Sequence, residues 1–113
     1  MSQTVATKIA LERADYNCEY CYHKLSRIRN IFDYVVGYHS AYAGGHHAIG
    51  RARVDAPDAI IALCSQHHYE VEHAIIKKIE IFALLSKIVG YDIYKKYRKE
   101  CRWTEEEWEK EYP

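Results

Sequence analysis

Gly44-Gly-His-His-Ala-Ile-Gly-Arg-Ala-Arg53, continued by Val54-Asp-Ala-Pro-Asp-Ala-Ile-Ile-Ala-Leu-Cys-Ser-Gln-His-His-Tyr-Glu-Val-Glu-His73, is the stretch on which the fold of this 113-residue chain turns. It holds five of the seven histidines, in two groups on either side of a short apolar run. Ala59-Ile-Ile-Ala-Leu63 is too short for a helix and reads as a buried strand. Pro57 closes the loop before it. Tyr42-Ala-Gly-Gly45 is a turn signal, and His46 to Ile49 is a short extended piece ended by Gly50. These pieces predict a hairpin with a long connecting loop, running from Arg51 to Asp58.

Outward from the hairpin, helical spacing takes over. Residues 66–89 read as one helix, with Ile75, Ile79, Phe82 and either Leu85 or Leu84 at 3–4 spacing and Gly90 as its stop. Helix is expected again over 91–103. Thr104-Glu-Glu-Glu107 matches a capping box that opens a short acidic helix to Tyr112. Toward the N-terminus, residues 4–15 fit a helix with Val5, Ile9 and Leu11 near one face. Residues 22–38 carry both helical and strand signals. One domain is expected over 1–113, with a core of about residues 8–90 and a helical extension over 91–113.

Sixteen basic and sixteen acidic residues cancel, so nucleic-acid binding must come from local patches. No apolar run approaches the roughly 20 residues of a membrane span, and no membrane partner is expected. The N-terminal residues lack a secretory apolar stretch, which predicts a cytoplasmic protein with reduced thiols. In that setting Cys18-x-x-Cys21 reads as metal binding or redox before disulfide. With Cys64 and His67 it makes a Cys3His set, the soft and borderline donors that tetrahedral zinc prefers. His68 is an alternative to His67. A structural zinc ion there would tie the N-terminal segment to the start of the long helix. Cys101 lies apart and reads as a packing residue. The eleven tyrosines read mainly as amphipathic packing.

His46, His47, His68 and His73 predict a second site of a different kind. A metal held by few histidines keeps positions open for water and a phosphate oxygen. A neutral imidazole beside it can take a proton from the attacking water. Arg51 and Arg53 follow the histidine pair, and arginine forks match phosphate oxygens. Lys24, Arg27 and Arg29 form a second basic cluster, and helix 91–103 offers a third. The glutamates at 105–111 would repel a duplex.

Ala10-Leu-Glu-Arg-Ala-Asp-Tyr-Asn-Cys-Glu-Tyr-Cys21, Gly45-His-His-Ala-Ile-Gly-Arg51, Pro57 to His68 and His73 together resemble the HNH endonucleases. The likeness covers about residues 8–75. It implies an α+β chain with a ββα-metal (His-Me finger) core and a zinc-stapled N-terminal segment. It further implies DNA as partner, His47 as general base, and a catalytic divalent ion held by His46 and His68. Magnesium, manganese, nickel or zinc are the expected ions. The chain departs from the family at three points. The central Asn falls on Ala59, the second zinc cysteine on His67, and the last histidine on Glu72 with His73 one later. Glu72 and His73 both remain candidates, and His73 is preferred. The alternatives to a nuclease are a zinc-stabilised module that binds nucleic acid without cleaving, and an interaction protein that docks a homodimer or a targeting partner through its helices.

Overall fold

The apolar run does form a strand. In the computed structural model, which describes residues 4–25, 44–50 and 53–112, β2 spans Ile60–Leu63 with all four residues buried. It pairs antiparallel with β1, Gly44–His47, in the register Gly44↔Leu63, Gly45↔Ala62, His46↔Ile61 and His47↔Ile60. Gly44 and Gly45 are therefore strand residues rather than the expected turn. The reason is a close approach: a Cβ on Gly45 would sit 2.7 Å from Thr7 Cγ2 and 3.1 Å from Ile60 Cγ2. Only glycine lets the N-terminal helix lie this near the strand. Gly50, at φ 113°, ends the extended stretch where expected. A 3-10 turn over Pro57–Ala59 leads into β2.

That N-terminal helix, α1, spans Val5–Arg13 and is capped by Thr4, whose side chain accepts from the Thr7 N–H. Its buried face is Thr7, Ala10 and Leu11. Val5 and Ile9, expected on the inner face, point to solvent. Small residues at 7 and 10 allow the close approach to β1, and that requirement outweighs burying the two β-branched side chains. Asp15 and Tyr16 turn the chain through positive φ into α2, Glu19–Leu25. The mixed reading of 22–38 falls mostly outside the described residues.

The free edge of β2 is closed by side chains. Arg13 donates to the carbonyls of Ile60 and Pro57 and forms a two-pronged ion pair with Glu19. Glu19 in turn accepts from the Ala62 N–H at 2.9 Å. The pair satisfies backbone groups that a third strand would otherwise take. Glu19 is buried, and half-breaking such a pair costs about 3–5 kcal/mol.

After β2 come α3, Ser65–Glu72, and α4, Lys78–Val89. They replace the single helix expected over 66–89. Ala74 sits at φ 59°, a left-handed turn marked by no glycine or proline. The break shifts the phase, so Ile76 is buried while Ile75 is 66% exposed. Phe82 and Leu85 are in the core as expected, and Gly90 caps α4 in the left-handed region.

The expected helix 91–103 shrinks to α5, Ile93–Lys96. Asp58 accepts from Tyr91, Lys96 and Tyr97, which folds this segment back onto the 3-10 turn. Burial alone would raise the Asp58 carboxyl, but the hydrogen bonds from Lys96, Tyr91 and Tyr97 hold it below its usual range. The Thr104–Glu107 capping box forms in full and opens α6, Glu105–Glu111. Trp108 packs beneath it against Phe82 and Tyr94. Among the described residues the architecture is α+β, a two-stranded antiparallel sheet surrounded by helices. No helix among the described residues is long and apolar enough to cross a membrane.

Candidate metal centres

Cys18 and Cys21 sit where the chain enters α2, and Cys64 and His67 where β2 passes into α3. The Arg13–Glu19 bridge fixes the first pair against β2, bringing the four residues together in the interior. All four are buried, with donor atoms within 4.8 Å of one another. His67 Nδ1 lies 3.2 Å from Cys64 Sγ, 3.3 Å from Cys21 Sγ and 3.6 Å from Cys18 Sγ. Cys21 and Cys64 are 3.9 Å apart through sulfur. Metal–donor distances of about 2.0–2.3 Å in a tetrahedron put donors about 3.5–3.8 Å apart, so the group fits a zinc-sized ion. The Cys21 N–H points at Cys18 Sγ from 3.4 Å, the amide-to-sulfur arrangement of a tight knuckle.

Charge favours the same reading. Hydrogen bonding by Cys21, and then by His67, holds the Cys18 thiol far below its usual range, at about 3. Burial pushes the Cys64 thiol up. One thiolate is thus easy to form, and a second resists its neighbour until a cation neutralises it. None of the four cysteines is in a disulfide. Cys101 stands outside the cluster, and burial pushes its thiol up to about 11. The tilted Tyr20 ring, 4.5 Å from the His67 ring, fixes the imidazole.

The second cluster is His46, His68 and Glu72. His46 projects from β1 toward α3, where its ring meets that of His68 edge-on at 5.1 Å. Glu72 lies one helical turn beyond His68. Its Oε1 is 3.4 Å from His68 Nε2 and 3.8 Å from His46 Nδ1. Burial, helped by the nearby charges of His68 and Lys78, lowers His46 to about 4, so it is neutral at ordinary pH with a lone pair to offer. Unlike the sulfur cluster, this one opens onto a cleft of about 390 Å³.

His47 lines the same cleft. Its Nε2 lies 2.8 Å from Asp55 Oδ1, which also accepts from the Thr4 hydroxyl. A carboxylate only accepts, so Nε2 carries the proton and Nδ1 is left as the basic nitrogen. Ala59, fully buried beside Ile60, takes no part in this bracing.

His73 is not brought to the cluster. It ends α3, donates through Nδ1 to the Tyr69 carbonyl at 2.9 Å, and stacks on the Tyr69 ring. Arg53 is turned to the C-terminal segment and donates to the Glu100 carbonyl. Arg51, Arg27 and Arg29 lie outside the described residues. Asp55, Lys78 and Trp103 were not singled out as site residues from sequence, and no local motif marks them, whereas Arg102 belongs to the basic face of helix 91–103 that was expected as a third cluster. They reach the site from a loop, from the start of α4 and from the segment before α6.

No family model, curated protein or solved structure matches this chain. The chemistry of the two clusters is therefore the ground for a functional reading.

Proposed function

We propose that the chain is a metal-dependent DNA endonuclease of the HNH type, with a ββα-metal core stapled by a structural zinc ion. Cys18, Cys21, Cys64 and His67 hold the zinc. His46, His68 and Glu72 hold a catalytic divalent ion. One observation carries the reading: a buried sulfur cluster and a half-exposed nitrogen–oxygen cluster share one hairpin-and-helix unit, with a carboxylate-braced histidine lining the same cleft as the second.

Bound in the open cluster, a divalent ion polarises the phosphodiester and stabilises the leaving oxygen. The residues supply the remainder. His47 Nδ1 accepts a proton from water as the water oxygen bonds to phosphorus. Asp55 holds the imidazole in the required tautomer and offsets the charge it gains. The bond from phosphorus to the 3′ oxygen breaks, that oxygen takes a proton from solvent, and His47 later returns its own. The products carry 5′-phosphate and 3′-hydroxyl ends.

The test is nicking of supercoiled plasmid with magnesium, manganese or nickel. Wild type should nick, and His47→Ala should lose about 10²–10⁴-fold while keeping its circular dichroism. A second reading, a zinc-stabilised module that binds nucleic acid without cleaving, draws on the balanced charge of the chain. It predicts binding without nicking under every ion.

A further inference from the structure

One wall of the cleft comes from outside the hairpin and α3. Lys78 stands at the first position of α4, and Arg102 and Trp103 lie just before the α6 cap. Both cations are exposed. Among the described residues neither has an ion pair or a side-chain hydrogen bond, whereas Arg13, Lys96 and Arg98 are each paired with a carboxylate. The wall is fixed in place. The Trp103 ring packs on Phe82 at 5.2 Å, the Trp103 carbonyl accepts from the Tyr94 hydroxyl, and Asp58 anchors the segment leading to it.

Lys78 and Arg102 outnumber Glu72 among the charged lining residues of the cleft, and Asp55, behind His47, is engaged by that imidazole and by the Thr4 hydroxyl. With a dication on His46, His68 and Glu72, the lining strongly favours an anion. We propose that Lys78 and Arg102 grip the backbone phosphates on either side of the bond to be cut, so that the C-terminal segment completes the substrate site. Arg102 offers a planar fork to two phosphate oxygens and Lys78 a point charge. Trp103 closes the wall behind them. This grip rests on the nuclease reading for its substrate, but it is a statement about binding and can be tested without cleavage.

The experiment measures fluorescence anisotropy of a short labelled duplex with full-length protein carrying His47→Ala, in manganese, over a range of salt. Lys78→Gln with Arg102→Gln is compared with Lys95→Gln with Lys99→Gln, which removes the same charge from residues outside the cleft. The first pair should weaken binding about tenfold and flatten the salt slope by about 1.8, the value for two lost phosphate contacts. The second pair should do much less. Equal loss from both pairs, no loss from the first, or no duplex binding at all overturns the grip. If wild type never nicks plasmid while the first pair alone loses binding, the grip stands and hydrolysis is what fails. Both residues are exposed, so the substitutions leave the core intact, and a thermal melt confirms it.

Discussion

His67 and His68 are neighbours in sequence and belong to different centres. A helix turns about 100° per residue, so α3 sends His67 inward to three sulfurs and His68 outward to the cleft. The strand does the same to His46 and His47, one turned to α3 and the other to Asp55. What separates the centres is burial and donor type. The sulfur cluster is enclosed and offers four donors, which suits an ion that stays. The histidine–glutamate cluster is half-exposed and offers three, which would leave a position on a bound ion open. The contrast teaches that adjacent histidines need not share a job, and that the period of the element carrying them decides which job each takes.

The most severe way to break the contrast is to remove a sulfur. Cys64→Ser should cost the folded state outright, because ion binding at such a cluster contributes about 10–16 kcal/mol in small zinc domains. Loss of far-UV dichroism and of the thermal transition would be the readout. His46→Ala, in the other centre, should still melt cooperatively. Two melts that look alike would erase the distinction.

A smaller effect separates two adjacent residues of the open centre. Glu72→Gln should lower nicking about tenfold and raise the manganese concentration needed for half-maximal rate. His73→Ala, which loses only a ring stack and a bond to Tyr69, should stay within about twofold. Those figures follow the cost of disturbing a ligand as against a surface group. The reverse order would restore His73 as the ligand.

Much of this was legible in the sequence, and the rest was hidden for physical reasons. The Cys3His cluster could be read because each half is a local knuckle with its own spacing. β2, the Gly90 stop and the capping box at Thr104 could be read because each is a local signal. Glu72 was legible as the i,i+4 neighbour of His68, but residue type favoured His73, which instead caps α3 and bonds back to the Tyr69 carbonyl. Gly45 reads as part of a turn because its need for glycine comes from α1, far away in sequence. Asp55 and Lys78 could not be placed at all, and Arg102 could be read only as one member of a basic face. Their roles exist only once the loop and the C-terminal segment fold back on the cleft.

The most direct test of two unlike centres is a cobalt titration of metal-stripped protein, followed by absorption and circular dichroism together. The first equivalent should bring the sulfur-to-cobalt band and the helical signal in step. The second should bind without adding to either. A helical signal that is complete before cobalt is added, or one that develops with no sulfur band, would contradict the claim that the thiolate centre builds the fold.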